Sequence, residues 1–154
     1  MITPMATLNT VVEGLSRIAT AHTQLNTFYF GDAWEFATSG ATSYPAMVVS
    51  LDKVELVRRT TDLTISIYLI DKVRNGESNE TEVLSDMISV GKDIRSEIRH
   101  PDWTWNVQNE QSISVETFTE KFDDVLTGCK LTIVFQLVTP DDTCQIPEGS
   151  ITRI

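Results

Sequence analysis

Leu63-Thr64-Ile65-Ser66-Ile67-Tyr68-Leu69 is the stretch on which the fold turns. Its apolar residues fall at every second position, and successive side chains of a β-strand point to opposite faces. The run therefore predicts a strand with one face buried in a core. Upstream, Ala46 to Leu51 and Val54 to Val57 are two short β-type runs. Downstream, Ile113, Val115 and Thr117 alternate within Val107 to Thr119, and a long strand is expected through Leu131, Ile133, Phe135 and Leu137, after Thr127-Gly128. Phe28, Tyr29, Phe30, Trp34 and Phe36 cluster around the turn signal Gly31-Asp32, which predicts short strands or a hairpin, with core packing preferred to a ligand pocket.

Two segments carry the helical period instead. In the first, Leu8, Val11, Val12, Leu15, Ile18 and Ala19 share one face, with Thr3 as N-cap and Pro4 at the first helical position, so a helix over about 4–24 is expected. Gly14 inside it costs about 1 kcal/mol relative to Ala. In the second, about 80–99, the stripe is Leu84, Met87, Ile88, Gly91, Ile94 and Ile98, with Asn79 and Glu82 as a capping box and His100-Pro101 as the stop. Helix, strands, helix and strands again is an α+β order. No repeat or linker divides the chain, so one domain over 1–154 is expected, with a polar C-terminal tail over 140–154 and a mainly antiparallel or mixed sheet.

Length and charge exclude several functions. At 154 residues the chain has material for one core. Its 12 Lys and Arg against 22 Asp and Glu give a net charge of −10, the wrong sign for neutralising phosphates on nucleic acid or an anionic bilayer. The longest apolar-rich stretches, Leu63 to Ile70 and Leu131 to Val138, are far shorter than the ~20 residues of a membrane helix. Nothing near Met1 reads as a secretory signal, so a cytoplasm-made protein with reduced thiols is expected. Cys129 and Cys144 allow at most one disulfide, and their pairing is left open.

The chemistry-bearing residues do not assemble into a catalytic pattern. Nucleophilic catalysis needs a base beside Ser, Thr or Cys, and only His22 and His100 offer one. His22 falls at a helix end, and His100 is read as a charge partner for a helix C-terminus. The glycines of phosphate-binding and dinucleotide-binding loops are missing. Asp71, Asn75, Gly76, Asn79 and Glu82 match five positions of a calcium-binding loop, but Val73 occupies a ligand position and Lys72 and Arg74 add positive charge, so a strand-to-helix turn is the better reading. Trp103 and Trp105 at spacing two would share one face of a strand; sheet packing is preferred, with a stacking platform or partner anchor as the alternative. No metal, cofactor or enzymatic role is expected.

Several stretches together resemble small neck and tail proteins of tailed bacteriophages, especially crAss-like phages. They are Gln24-Leu25-Asn26 followed by Phe28-Tyr29-Phe30-Gly31-Asp32, then Tyr44-Pro45, then Leu69-Ile70-Asp71-Lys72-Val73. Ser78-Asn79-Glu80 through Leu84-Ser85-Asp86 to Asp93-Ile94 and Asp141-Asp142-Thr143-Cys144-Gln145-Ile146-Pro147 complete the set, in the same order over most of the chain. The resemblance implies a tail-terminator-like fold and a virion structural protein: a head–tail connector, tail terminator or portal adaptor. It implies a hexameric or dodecameric homo-oligomeric ring around the DNA channel, in contact with the portal and other neck and tail proteins, assembled in the host bacterial cytoplasm. DNA would pass without specific binding, and no membrane is involved.

Under that reading, ring contacts are expected from the loops Ala37 to Tyr44 and Arg74 to Asn79, including Asn75 and Gly76, and from the tail through Ile146, Pro147, Ile151 and Ile154. Asp123, Asp124, Asp141 and Asp142 are candidate channel-facing acids that repel DNA. The alternative is a small non-enzymatic ligand- or peptide-binding module, or a phage accessory factor, with Trp103 and Trp105 as anchors.

Overall fold

The alternating run belongs to the central strand of a six-stranded mixed sheet. The computed structural model describes residues 6–32, 35–36, 43–73, 79–108, 115–121 and 125–139. In chain order the elements are α1 (Leu8–Ala21), β1 (Thr27–Phe30), β2 (Ala46–Leu56), β3 (Thr60–Lys72), α2 (Glu80–Ile98), β4 (Asn106–Val107), β5 (Val115–Lys121) and β6 (Val125–Val138). The sheet runs β1-β2-β3-β6-β4, and β5 also pairs with β6. β1 is parallel to β2; every other pairing is antiparallel. The chain is a single-domain α+β fold, as the order of periodicities predicts.

β3 and β6 pair residue for residue from Thr60↔Val138 to Lys72↔Leu126, so Leu63, Ile65, Ile67 and Leu69 lie opposite Phe135, Ile133, Leu131 and Cys129. These residues are buried on the helix-covered face. α1 contributes Val11, Leu15, Ile18 and Ala19 to this core; α2 contributes Val83, Met87, Val90, Ile94 and Ile98. The opposite face carries a smaller cluster, Phe36, Ala46, Val48, Ile70 and Leu126, with Tyr29, Tyr44, Tyr68 and Phe118 against it. Of the aromatic segment, Phe28, Tyr29 and Phe36 pack against the two clusters, Phe30 is exposed and Trp34 lies outside the described residues; Tyr29 and Phe36 lie 5.4 Å apart, and Tyr44 meets Phe36 edge-on at 6.1 Å.

Four details differ from expectation. α1 begins at Leu8, because Thr7 is extended (φ −129°, ψ 176°) and its N–H donates to Thr10 Oγ1 at 3.1 Å; the helix is therefore shorter than 4–24, with Thr7 as the cap. In α2 the buried stripe keeps Met87, Gly91, Ile94 and Ile98 and adds Val83 and Val90, while Leu84 is half-buried and Ile88 is 45% exposed, a small turn of the buried face about the helix axis. Asn79 holds the N-cap position of α2 without a side-chain capping bond. The two runs around Asp52 form one strand, since a register shift between Leu51 and Lys53 absorbs the extra residue and keeps Val54 opposite Leu63.

Thr127-Gly128 lies inside β6, opposite Asp71 and Ile70, where a turn before the strand was expected. A Cβ on Gly128 would stand 1.8 Å from the Leu69 carbonyl oxygen, so the close approach of β3 requires glycine at this place.

Candidate functional site

The C-terminus of α2 is closed by the tryptophan pair. A helix leaves its last carbonyls without intrahelical partners, and here the indoles supply them. Trp103 Nε1–H donates to the Glu97 carbonyl at 3.0 Å, and Trp105 Nε1–H donates to the Ile98 carbonyl at 2.9 Å. The rings stack at 4.6 Å with a 9° interplanar angle, and Trp105 meets Phe135 edge-on at 5.4 Å. They share this stack from an irregular turn before β4, where a strand face was expected. Gly14 lets α1 lie on them: a Cβ there would sit 2.5 Å from Trp105 Cη2. The glycine that seemed a helix defect is a packing requirement. Trp105 is 4% exposed, which removes it as a partner anchor.

Beside this stack, α1 and α2 border a cleft of about 470 Å³. Its apolar lining comes from Ile18, Ala21, Ile94 and Trp103, and its polar lining from Arg17, His22, Asp93 and Glu97. His22 caps α1 and is oriented on both sides. Gln24 N–H donates to Nδ1 at 3.2 Å, so the ring proton resides on Nε2, which donates to Asp93 Oδ2 at 3.0 Å. Arg17 is held by Glu13 at 2.7 Å, one turn earlier on the same helix. Among the described residues the cleft lining contains no Ser, Thr or Cys. The other histidine, His100, accepts from Asp102 N–H at 3.2 Å just past α2. Cys129 lies under α2 and its thiol donates to the Met87 carbonyl at 3.3 Å; burial pushes it up to about 11, so the thiolate is unavailable near neutrality. Asp71, at the end of β3, is raised chiefly by burial, opposed by the Lys72 N–H and reinforced by the charge of Asp86. Among the described residues no group of three or more His, Cys, Asp and Glu is placed to hold a metal ion.

Glu82, Asp86, Asp93 and Glu97 are spaced four, seven and four residues apart on α2, which aligns them in one lengthwise stripe. All four are exposed, and the His22–Asp93 bond shows that the stripe lies on the flank towards α1.

A different surface lies at the end of the sheet. β2 and β3 join through Val57 N–H to the Thr60 carbonyl at 2.9 Å and the reverse bond at 3.3 Å, which places Arg58 and Arg59 as the two turn residues. Thr139 N–H donates to the Arg59 carbonyl at 3.0 Å, so β6 runs out to the same tip. Leu56 is 84% exposed there, with Val138 at 59% and Val54 and Val57 near half. No ion pair engages Arg58 or Arg59 among the described residues. Sequence reasoning missed this surface. Its signal was Leu56-Val57-Arg58-Arg59, an apolar pair running into a turn that lacks Gly, Asn or Pro.

The expected subunit-contact residues Asn75, Gly76, Ile146, Pro147, Ile151 and Ile154 lie outside the described residues, as do the expected channel acids Asp123, Asp124, Asp141 and Asp142. No helix among the described residues is long and apolar enough to cross a membrane. No protein-family model matches the chain, and a search of curated proteins finds no relative.

Proposed function

We propose that the chain is a structural subunit of a tailed-bacteriophage virion, without enzymatic activity, that closes with copies of itself into a ring at the neck or tail. The observation that carries this reading is the hairpin end, where four apolar side chains and two arginines are presented to solvent by a rigid sheet. Val54 and Leu56 stand on the helix side of the ladder and Val57 and Val138 on the other, and apolar side chains exposed around one tip in this way suit protein contact better than chemistry. The chain-long resemblance to phage neck and tail proteins supplies the biological setting, and ring closure through two unlike faces supplies the geometry. In such a ring the net charge of −10 discourages DNA from adhering as it passes, with Asp123, Asp124, Asp141 and Asp142 as the proposed channel-side acids.

A ligand- or peptide-binding module is the second reading, favoured by the cleft beside Trp103. Negative-stain microscopy and sedimentation of the purified chain, alone and mixed with portal and neck proteins, separate the two. Closed rings in either preparation are expected. A chain that remains monomeric in both contradicts the ring reading. Removal of residues after Thr139 tests the tail: loss of rings with unchanged circular dichroism is expected, and persistent rings contradict the tail's role.

A further inference from the structure

We infer that the β2–β3 hairpin tip of one copy inserts into the α1/α2 cleft of the next, making the repeated head-to-tail contact of the assembly. The inference rests on the ring reading and names the partner for both surfaces. The tip offers Leu56 and Val57, largely or half exposed, followed at once by Arg58 and Arg59. The cleft answers in kind: Ile18, Ala21, Ile94 and Trp103 supply apolar wall, and Asp93 and Glu97 stand in the same lining. Asp86 and Glu82 continue the acidic stripe along α2 beyond it. Among the described residues the one Lys or Arg of the cleft wall, Arg17, is paired with Glu13, and His22 engages one oxygen of Asp93.

Volume agrees as well as charge. A cleft of about 470 Å³ accommodates the ends of two aliphatic side chains and a guanidinium, and lies within the usual range for small binding sites. The tip cannot turn back onto its own cleft, because its ladder to β6 continues to Thr60↔Val138 and is finished by the Thr139–Arg59 bond. The two surfaces are different parts of one chain, so each copy offers one of each. That is the heterologous arrangement from which rings close. Buried at the centre of such a contact, the arginines and Leu56 are its expected anchors, since Arg is favoured where planar bidentate pairing with carboxylates is needed.

A mixing experiment tests the pairing, under whichever condition the wild type assembles. Arg58→Glu/Arg59→Glu spoils the tip and leaves the cleft intact; Glu97→Arg spoils the cleft and leaves the tip intact. Ala21→Trp fills the cleft without changing charge and covers the case in which Glu97→Arg disturbs folding, which circular dichroism monitors. Each variant alone should self-associate at least about tenfold more weakly by sedimentation velocity. An equimolar mixture of the tip variant with Ala21→Trp should form a complex of two chains that grows no further, because only one intact contact is available; with Glu97→Arg in place of Ala21→Trp the reversed charges complement each other and growth should partly return. Variants that assemble like the wild type overturn the inference and leave the ring reading standing. Variants that lose assembly but form no mixed pair also overturn it. A wild type that never assembles removes both.

Discussion

The two halves of β2 sit in opposite environments although one hydrogen-bonded ladder serves both. Ala46, Met47, Val48 and Val49 are fully buried, with the helix layer over one face and the Phe36 cluster over the other. From Asp52 to Leu56 every residue is exposed, yet pairing with β3 continues to Leu56↔Thr61. What ends midway is the covering. Burial of apolar area stabilises at about 25 cal/mol per Å², so the covered half holds the fold and the uncovered half adds little to it. A rigid extension that leaves Leu56 and Val138 in water costs the monomer solubility, and a partner that covers them recovers the same burial energy.

The comparison breaks most severely if the covered half is forced apart. Gly128→Ala places a methyl group against the Leu69 carbonyl in the central strand pair, and a loss of more than about 3 kcal/mol is expected, read as a lowered urea midpoint or failure to fold. Trp105→Ala comes next, at about 3–5 kcal/mol, because it opens a cavity against Phe135 and Gly14 and orphans the Ile98 carbonyl. Gly14→Ala should cost about 1–3 kcal/mol, although alanine is the better helix former by about 1 kcal/mol; overpacking of the indoles decides the sign. A stabilised Gly14→Ala protein contradicts the close packing of α1 on the indoles.

Smaller effects come from titration in the covered half. The Cys129 thiol stays protonated in the fold up to about 11, against an ordinary value of 9.0. The unfolded chain therefore loses that proton first. The stability this thiol contributes is complete below pH 9.0 and is lost as pH rises towards about 11. Thermal unfolding of wild type and Cys129→Ala across that window should show the steeper alkaline decline in the wild type, and equal slopes contradict the burial argument. Asp71 works in the same sense in the acid range: its folded value is raised above 3.8, so its contribution falls as pH rises through that range. Asp71→Asn, which keeps an oxygen for the Lys72 N–H, should leave the protein slightly more stable near neutrality, read as a higher melting temperature.

The sequence disclosed the covered half far better than the exposed one. Period-two alternation at Leu63–Leu69 and Leu131–Leu137 marks a face that must be buried, and both strands are where that pattern puts them. The small turn of α2 was hidden because Val83 and Leu84, like Ile88 and Val90, are interchangeable as apolar residues, and the choice between them is made by tertiary packing. The packing of α1 on the two indoles was out of reach for another reason. Gly14, Trp103 and Trp105 lie about ninety residues apart in the chain and meet only through the tertiary fold. Val54, Leu56 and Val57 read as ordinary strand residues, since hydropathy carries no record of where helices stop covering a sheet.

Sedimentation velocity of Leu56→Asp beside the wild type, with melting temperatures measured on the same samples, tests the central claim most directly. An exposed side chain outside the core changes stability by no more than about 0.5 kcal/mol, so unchanged melting together with loss of higher-order assembly is the predicted result. Assembly equal to the wild type at unchanged stability would contradict the assignment of the hairpin end as the assembly surface.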